Sequence, residues 1–419
     1  MKNKFAVIIL AAGKGERMKS STPKVLHKIC GRPMIEYVLD LVKGARAAQA
    51  VVVLGFKHEI VRRHIGPAVK IAIQKKMLGT ADALKSGLRA LKGSQETVVV
   101  LYGDIPLLTK ETLDKLIGHH LKNRPDATIL VSEVNNPKGY GRIMRDKYAS
   151  ICGIVEEKDA DDFQKEIKEV NTGIICFSKD KLKSCIGEIK PNNKKKEFYL
   201  TDIIHIFYKK GYIIDGIKLT DFEEALGINS GVELARASSI MQKRINERLM
   251  KDGVAIIDPA SAFISFGAKI GEGTVIYPFT IIEKDVKIGL RCSIGPFAHL
   301  REGTRVESDV VVGNFLEIVR SKLSPKILAK HFGYIGDSRI GKGVNIGAGT
   351  VTANFDGRCK STTVIKEGAF IGSDTVLVAP VKVGRNAVTG AGSVVVKNSN
   401  ISDNTVVVGV PAKRIKKNR

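Results

Sequence analysis

The distribution of apolar and polar residues divides the chain into two halves with different periods. From residue 5 to about residue 228, short apolar runs such as Phe5–Ala12, Ala50–Gly55 and Thr97–Tyr102 alternate with longer amphipathic stretches. Valine-rich runs of this length predict buried strands, and the 3–4 spacing of stretches such as Met34–Val42 and Ala81–Leu91 predicts helices. Strand–helix alternation predicts an α/β domain with a mostly parallel sheet and helices on both faces.

A single amphipathic stretch follows at residues 231–250. It has no proline, its apolar residues recur every three or four positions, and its other faces are charged. This spacing predicts a helix of about five turns that connects two domains and ends near Gly253. The predicted apolar stripe consists of Leu234, Ala237, Met241, Ile245 and Leu249.

After this helix, aliphatic residues recur every six positions. If roughly a quarter of residues are aliphatic, ten successive matches arise by chance in on the order of one in a million registers. A six-residue repeat with small turn residues predicts a parallel β-helix, because a sandwich of short strands does not hold one period through many turns. The period does not fix the hand of the β-helix. The unbroken series is Ile264, Ile270, Ile276, Ile282, Ile288, Ile294, Leu300, Val306, Val312 and Ile318, and it resumes at Ile340, Ile346, Ile365, Ile371, Leu377 and Val383.

Two polar segments, Ser321–Gly333 and Ala353–Thr363, fall off this register. Interruptions of a solenoid form either loops or an atypical coil, and such places often carry binding residues. We therefore expect functional residues in or beside both segments.

A glycine-rich turn follows the first apolar run. Gly13-Lys14-Gly15 stands directly after the predicted strand, and the cations Arg17 and Lys24 come next in the chain. Glycines at this place let the backbone approach a phosphate, and cations neutralise its charge. Because ligands of parallel sheets bind beyond the carboxyl ends of the strands, this turn and Gly103-Asp104 are expected to share one crevice.

Composition narrows the function classes. The chain carries 68 Lys and Arg against 43 Asp and Glu, a formal net charge of +25, without a helix-turn-helix, RNA-recognition or zinc-finger pattern. We interpret the basic runs Lys194–Lys196 and Lys413–Arg419 as solvated surface and tail, and expect no nucleic-acid partner. The six cysteines lack a Cys-x-x-Cys spacing, which favours reduced thiols in the cytoplasm and argues against a zinc site. We expect neither a signal peptide nor a membrane span.

Several motifs, in one order over nearly the whole length, indicate a family. The first half contains Leu10–Met18 (LAAGKGERM), Pro23–Leu26 (PKVL) and Tyr102-Gly103-Asp104, and the second contains Lys330–Asp337 (KHFGYIGD). Through these motifs the chain resembles the bifunctional bacterial family of N-acetylglucosamine-1-phosphate uridyltransferase/glucosamine-1-phosphate N-acetyltransferase. The resemblance implies a Rossmann-like N-terminal nucleotidyltransferase domain, a long linker helix and a C-terminal left-handed parallel β-helix.

The resemblance also implies a site for uridylyl transfer. Arg17 and Lys24 would contact the phosphates of UTP, and Asp104 and Asn229 would hold a magnesium ion, which prefers hard oxygen ligands. The residues implied to bind UTP and UDP-N-acetylglucosamine are Leu10, Ala11, Ala12, Gly13, Arg17, Lys24, Gln74, Gly79, Thr80, Tyr102, Gly103, Asp104, Gly141, Glu156, Asn171, Thr201 and Asn229.

For acetyl transfer, the resemblance implies that His331 is the base. It would remove a proton as the sugar amine attacks the thioester of acetyl-CoA, a task that suits histidine because its ordinary pKa lies near working pH. The residues implied to bind glucosamine 1-phosphate are Arg301, Tyr334, Asn345 and Lys360. Those implied to bind acetyl-CoA are Ala348, Asn354, Phe355, Ser373 and Ala391.

Three positions depart from the family's pattern. Val319 stands where the family has a phosphate-binding lysine, and the adjacent Arg320 is expected to point in another direction. Phe355 replaces a loop tyrosine, and Gly409 replaces an arginine. These departures concern the expected contacts with the acetyl acceptor and coenzyme more than the role of His331.

The predicted organisation is a nucleotidyltransferase domain over residues 1–229, a linker helix over 230–252, an acetyltransferase β-helix over 253–412 and a basic tail over 413–419. The predicted function is synthesis of UDP-N-acetylglucosamine for the cell wall by a cytoplasmic homotrimer, with magnesium as cofactor and acetyl-CoA and UTP as co-substrates. An alternative keeps only uridylyl transfer and makes the β-helix a trimerising scaffold or a site for another acyl acceptor. A third class, a nucleic-acid-binding protein, rests on the net charge alone.

Overall fold

A computed structural model describes residues 4–415 of the chain. They fold as two compact units, one ending at Ser238 and the other beginning at Ser239. The division falls inside the stretch predicted to be a linker helix. In the described part of the chain, no helix combines the length and the apolar character needed to cross a bilayer.

The first unit is built on a mixed sheet with the strand order β11-β7-β10-β6-β1-β4-β5, to which β8 and β9 are added beside β10. Strand β10 runs antiparallel to β6 and β7, and the other pairs in this order are parallel. The strands are β1 (Phe5–Ala11), β2 (Lys28–Ile29), β3 (Arg32–Pro33), β4 (Gln49–Leu54), β5 (Lys70–Ile73), β6 (Thr97–Tyr102), β7 (Ala127–Glu133), β8 (Arg142–Arg145), β9 (Ile151–Val155), β10 (Glu169–Ser178) and β11 (Ile214–Lys218).

Helices cover both faces of this sheet, as the alternating pattern predicts. Along β1, Val7 and Ile9 pack on one side and Ile8 and Leu10 on the other, so this strand is buried on both faces and reads as a continuous apolar run. The helices are α1 (Met34–Gly44), α2 (His58–Ile65), α3 (Thr80–Ala90), α4 (Lys110–Asn123), α5 (Asp162–Lys165), α6 (Lys179–Cys185), α7 (Asp202–Lys209) and α8 (Gly231–Lys251). Short 3₁₀ turns lie at Glu16–Met18, Lys24–Leu26, Gly66–Ala68, Ile186–Glu188 and Phe222–Ala225.

Helix α8 is the predicted long helix. Its 21 residues span about 31 Å, and it ends two residues before Gly253. Four of the five predicted stripe residues are buried, and Leu234 is half-buried. In the second unit the buried Asn246 donates hydrogen bonds of 2.8 Å to the Pro259 carbonyl and 3.1 Å to the Ala262 carbonyl. These bonds tie the last turns of the helix to the start of the β-helix.

The second unit is a parallel β-helix with three sheets, termed here faces 1, 2 and 3 in the order in which the chain meets them. Face 1 comprises Ala255–Ile256, Val275–Ile276, Ser293–Ile294, Val311–Val312, Leu328–Ala329, Asn345–Ile346, Phe370–Ile371, Val388–Thr389, Val406–Val408 and Lys413–Arg414. Face 2 comprises Phe263–Ile264, Ile281–Ile282, His299–Leu300, Leu316–Val319, Gly333–Gly336, Val351–Ala353, Val376–Val378 and Val394–Val395. Face 3 comprises Lys269–Ile270, Lys287–Ile288, Arg305–Val306, Lys322–Leu323, Ser338–Ile340, Thr363–Ile365, Val381–Val383 and Asn400–Ile401.

Every aliphatic residue of the predicted series lies on a strand. All are buried except Ile270, which is half-buried in the first complete coil. Successive coils pair 18 residues apart, as at Val275 and Ser293, so three six-residue repeats make one coil. The repeat therefore specifies the core, since no single coil buries its own apolar face.

The two off-register segments have different structures. Ser321–Gly333 belongs to coils that are one residue shorter, so that Arg305 pairs with Lys322 and the series loses its register without a loop. Ala353–Thr363 contains a true loop, because Val351 pairs with Val376, 25 residues later. At the end of the chain, Lys413–Arg414 pairs antiparallel with Val407 and Val408, so the predicted basic tail begins as a strand. Residues 416–419 of that tail lie outside the described residues.

Candidate functional sites

The first candidate site is a crevice at the carboxyl ends of β1 and β6. Two adjoining cavities of about 760 and 530 Å³ share Tyr102, Asp104 and Asn229 in their walls. All residues predicted to bind UTP and its product line one or both cavities, except Gly103. Gly103 lies behind the wall, where an added Cβ would be 3.0 Å from Ile35 and 3.1 Å from Ala11.

The glycine-rich turn is shaped by its contact with Lys24. Gly15 has a φ of +67°, and a Cβ there would lie 2.8 Å from the Cβ of Lys24. Only glycine tolerates both this backbone conformation and this approach. The turn therefore rests on the stem of Lys24, and Arg17 projects into both cavities from the 3₁₀ turn that follows.

Lys24 bridges the two residues predicted to hold a metal. Its Nζ donates a hydrogen bond to Asp104 Oδ2 and another, of 2.9 Å, to Asn229 Oδ1. The Asn229 backbone N–H donates to Glu233 Oε2 at 2.6 Å, and the Ile228 N–H donates to the Asp104 carbonyl at 3.0 Å. Residues far apart in sequence thus present a carboxylate and an amide oxygen to one cation.

This pair of oxygens has the chemistry of a magnesium site. Magnesium takes hard oxygen ligands and is usually held by one or two protein groups, with phosphate and water completing its shell. Among the described residues there is no cluster of three or more His, Cys, Asp and Glu side chains suited to a metal ion. The donor set accordingly fits an ion bound together with a phosphorylated substrate rather than an all-protein cage.

Gln74 and Thr80 are held in fixed orientations at the far end of the larger cavity. The Gln74 amide donates to the Gly79 carbonyl at 3.1 Å and to Asp82 Oδ2 at 2.8 Å. The Thr80 hydroxyl accepts a hydrogen bond of 2.9 Å from the Leu200 N–H. A buried, oriented amide can discriminate one flat polar ring from another.

The smaller cavity contains acidic and amide side chains. Glu156 accepts a hydrogen bond of 2.9 Å from the Thr201 hydroxyl, and burial raises the pKa of its carboxyl. Asn171 Oδ1 accepts the Gly173 N–H at 2.9 Å. Burial, together with the nearby Glu156 carboxylate, raises the pKa of Asp202 to about 6. This end of the crevice is therefore short of positive charge and rich in hydrogen-bonding oxygens, which suits sugar hydroxyl groups.

Sequence reasoning missed three residues of this crevice. Lys158, Lys195 and Glu197 line both cavities. Lys195 belongs to the basic run interpreted as solvated surface; it is exposed, but its charge also acts on Glu156, lowering the pKa of that carboxyl against the effect of burial. The position of the run directly before Tyr199–Asp202 was the available signal.

The second candidate site lies on the β-helix and begins at His331. This residue is exposed in the turn between faces 1 and 2, two residues after the strand Leu328–Ala329. Ala348, Ser373 and Ala391 occupy the equivalent corner of the next three coils. Hydrogen bonds from the Asp374 N–H to the Ala348 carbonyl (2.6 Å) and from the Gly392 N–H to the Ser373 carbonyl (2.8 Å) hold these coils together. The structure thus aligns the predicted base with the predicted acetyl-CoA residues in one column.

A second group gathers at the corner between faces 2 and 3. Asp337 accepts hydrogen bonds from Arg320 at 2.7 and 2.8 Å and from the Asn354 amide, and these contacts, with the charge of Lys360, hold the pKa of its carboxyl below its ordinary value. A Cβ on Gly336 would lie 2.6 Å from the Tyr334 hydroxyl and 2.7 Å from Asn354 Nδ2. Tyr334, Asn354 and Lys360 therefore lie together, as predicted.

The departures from the family pattern are visible at the same corner. Val319 is buried and supplies no cation, and Arg320 points to Asp337 as a neighbour in the repeat should. Arg301 pairs with Glu317 at 2.8 Å, close enough to Tyr334 to affect its own charge equilibrium. Gly409 ends the strand Val406–Val408 with a φ of +92°. Asn345 lies apart from this group, on face 1, paired in register with Leu328.

The loop between Ala353 and Thr363 is braced from within. Phe355 and Lys360 form an isolated antiparallel bridge, and the exposed Phe355 side chain is 57% accessible. Asp356 accepts the Cys359 N–H at 2.8 Å and pairs with Lys397 at 3.0 Å, and these contacts lower the pKa of its carboxyl. The loop is thus a defined support for Asn354 and Lys360.

The two units belong to two transferase classes. The MobA-like NTP transferase domain matches residues 7–169. The hexapeptide repeat of succinyl-transferase matches residues 279–314, and the bacterial transferase hexapeptide matches residues 362–397. The molecule therefore joins a nucleotidyltransferase to a hexapeptide-repeat acyltransferase, and these matches confirm the predicted fold class, including the left-handed β-helix.

Curated relatives identify the family. The bifunctional protein GlmU of Thermosipho africanus is 44% identical over 96% of this chain and 94% of its own length. The proteins of the same name from Heliobacterium modesticaldum and a Geobacillus species are 42% and 40% identical, each over 94% of this chain and over 94% and 93% of their own lengths. The chain belongs to the family of bifunctional protein GlmU. This confirms the predicted function, a uridylyltransferase and an acetyltransferase in UDP-N-acetylglucosamine synthesis, and does not favour the scaffold alternative.

Proposed function

We propose that the two sites catalyse consecutive steps with the residue roles given below. At the β-helix, the acetyl group of acetyl-CoA passes to the amine of glucosamine 1-phosphate. At the crevice, N-acetylglucosamine 1-phosphate then attacks the α-phosphorus of UTP, giving UDP-N-acetylglucosamine and pyrophosphate. The observation that carries the second step is the bridging of Asp104 and Asn229 by a cation, the Lys24 ammonium.

In the crevice, catalysis rests on alignment and charge neutralisation, because phosphoryl chemistry needs little covalent help from protein groups. Gln74, Gly79 and Thr80 orient the uracil, and the turn at Gly13 follows the phosphates. Arg17 and Lys24 neutralise charge as the bond from the α-phosphorus to the leaving pyrophosphate breaks. Asp104 and Asn229 would hold a magnesium ion, which supplies further charge neutralisation at the phosphates.

The sugar phosphate binds in the smaller cavity. Glu156, Asn171 and Thr201 offer carboxylate, amide and hydroxyl groups to the sugar, and Gly141 lines the cavity beside them. The hydrogen bond between Thr201 and Glu156 fixes the carboxylate before the substrate arrives. This preorganisation is what holds the attacking phosphate oxygen in line with the bond that breaks.

On the β-helix, His331 removes a proton from the sugar amine as the nitrogen attacks the thioester carbonyl. The carbon–sulfur bond then breaks and coenzyme A leaves as its thiol. Ala348, Ser373 and Ala391 lie along the same corner with small side chains, which leaves room for an extended coenzyme beside the base. Arg301, Tyr334, Asn345 and Lys360 hold the sugar phosphate, with Asn354 and Phe355 completing the coenzyme groove.

We propose a homotrimer because the acceptor residues lie on a different corner of the β-helix from His331. Neighbouring copies can bring the loop around Asn354 and Lys360 to the corner of another copy. A cytoplasmic location is supported by the free thiols of the six cysteines. The domain limits at residues 229/230, 252/253 and 412/413 remain part of the proposal.

Two assays test these assignments. Free thiol should appear when the protein is incubated with glucosamine 1-phosphate and acetyl-CoA without UTP. Release no greater than that of a His331→Ala control would contradict the acetyltransferase assignment. Pyrophosphate release from UTP and N-acetylglucosamine 1-phosphate should require magnesium and should collapse in Asp104→Ala; activity that survives this change would contradict the metal assignment.

A further inference from the structure

One face of the β-helix carries a row of cations that neither reaction uses. The outward residues of face 3 pair in register from coil to coil, so their side chains stand directly above one another. All five are exposed. In order along the face they are Lys269, Lys287, Arg305, Lys322 and Arg339.

This row is unfavourable by itself. Neighbouring strands lie about 4.8 Å apart, so the five charges occupy a line about 19 Å long. Like charges directly opposite each other on a sheet are destabilising. Only Lys322 has an acidic partner among the described residues, Glu307 at 2.8 Å, while Lys269, Lys287, Arg305 and Arg339 form no ion pair there.

The row is confined to one face. The outward residues that pair along face 1 from Ala255 to Val406 carry no charge, and face 2 mixes aromatic, aliphatic, acidic and imidazole groups. Two depressions of about 270 and 460 Å³ lie along the row, and Arg305 and Lys322 border both. A concentrated, recessed line of positive charge attracts anions far better than the same charges scattered over the surface.

The corners beside the row limit the shape of a partner. Acidic side chains on these corners pair with corner cations, as Asp309 does with Arg291, Asp337 with Arg320 and Glu302 with Lys284. A broad anionic surface such as a membrane would meet these acids as well as the row. A narrow, unbranched polyanion laid along the row would meet the cations alone.

The side chains of the face also limit the chemistry. None of the eight outward positions on face 3 is aromatic, since the row continues as Val364, Lys382 and Asn400. Proteins that bind single-stranded nucleic acid combine a basic groove with aromatic side chains on which bases stack. A chain of phosphates without bases needs only the cations, and Lys and Arg form their strongest hydrogen bonds with such charged oxygens.

We propose that face 3 binds linear inorganic polyphosphate along the row from Lys269 to Arg339. Each phosphate in such a chain is charged, so one chain can neutralise every cation of the row at once and release the counterions of both partners. Binding therefore strengthens with chain length until the chain spans the row. Pyrophosphate, a product of the first unit, is too short to bridge it.

The test compares two triple variants of the full chain with matched losses of charge. Lys287→Gln/Arg305→Gln/Arg339→Gln removes three cations from the row, and Lys122→Gln/Lys183→Gln/Lys209→Gln removes three exposed cations from the first unit. Affinity for long-chain polyphosphate is measured by calorimetry over a series of salt concentrations. The row variant should bind at least tenfold more weakly than the unchanged chain, and its slope of log affinity against log salt should fall by about two, or roughly 0.7 per lost contact. The control variant should stay within twofold.

Equal weakening in the two variants would overturn the proposal, as would binding of single-stranded DNA of the same charge as tightly as polyphosphate. Pyrophosphate should bind the row variant and the unchanged chain equally. Thermal unfolding and uridylyl transfer check that each variant is folded, and Arg305→Gln alone, expected to weaken binding about threefold, is measured if the triple variant unfolds.

Discussion

The Nζ of Lys24 donates a hydrogen bond of 2.9 Å to Oδ1 of Asn229, and the same ammonium donates to Asp104. These side chains are mostly buried, so the contact is more than a surface ion pair. A lysine from the phosphate loop therefore occupies the oxygens proposed for magnesium. The loop and the metal residues are parts of one electrostatic unit.

Lys24→Ala should separate two consequences of this contact. Removing the ammonium frees two oxygens for a divalent cation, so the affinity for Mn²⁺ without nucleotide should rise roughly tenfold. Uridylyl transfer should fall at least a hundredfold, because a cation beside the phosphates is lost. Titration of free Mn²⁺ by electron paramagnetic resonance gives the first quantity and pyrophosphate release the second. Lys14→Ala is the control, since Lys14 is exposed and pairs with Glu16; a similar rise in that variant would exclude competition by Lys24.

His331→Ala should abolish acetyl transfer and spare uridylyl transfer. Loss of a general base costs about 10² to 10⁴ in rate, so thiol release should fall by at least a hundredfold. His299→Ala is the matched control, because His299 lies on face 2 and pairs with Glu283 at 3.1 Å. A comparable loss in His299→Ala, or full thiol release by His331→Ala, would show that the base lies elsewhere.

Arg320→Ala should raise the KM for glucosamine 1-phosphate several-fold with a smaller change in kcat. Arg320 holds Asp337, which in turn binds the Asn354 amide beside Tyr334, so its loss releases residues proposed to position the acceptor. Arg291→Ala provides a close control because Arg291 makes the same two-pronged contact with Asp309, at 2.8 and 3.1 Å, in the coils before it. Steady-state kinetics of both variants decide the matter; equal effects would mean that only coil stability is involved.

Asp202→Asn should stabilise the first unit at neutral pH. The folded-state pKa of Asp202 is raised to about 6, above its ordinary value of 3.8, so the folded state favours the protonated acid. The carboxyl therefore contributes stability below pH 4 and loses that contribution as the pH rises through 6. The neutral amide should give a gain of about 1–2 kcal/mol at pH 7.5, discounted for partial exposure, and none at pH 3.5.

Thermal or urea unfolding at the two pH values measures this difference. Asp180→Asn is the control, because Asp180 is likewise in the first turn of a helix, α6, but is exposed. A gain that is equal at both pH values, or equal in the control, would rule out burial of the Asp202 charge as the cause.

Local patterns were sufficient for much of the fold. The apolar run Phe5–Ala12 became β1, and the six-residue series became the core of the β-helix, because burial on both faces or at every third strand leaves a direct trace in the order of residues. The antiparallel direction of β10 left no such trace. Its direction depends on hydrogen bonds with β6 and β7, which are distant in sequence.

The same distinction holds for the sites. Motifs named the residues of the crevice, but the bridge from Lys24 to Asp104 and Asn229, and the places of Lys158 and Lys195, depend on how separate loops meet at one sheet edge. The cationic row was hidden for a simpler reason. Lys269, Lys287 and Arg305 are 18 residues apart, but the next two coils are one residue shorter, so the series continues at Lys322 and Arg339 and escapes a fixed period.

By itself, the sequence determined the two-part architecture, the six-residue core and the residues that carry the family's chemistry, because these are properties of spacing and residue type along one chain. Only the tertiary structure decided which charges meet. It brought the Lys24 ammonium to the metal residues, aligned His331 with Ala348, Ser373 and Ala391, and stacked five cations on one face. Electrostatic energy depends on distances through space of a few ångströms, and strand pairing and loop packing set those distances.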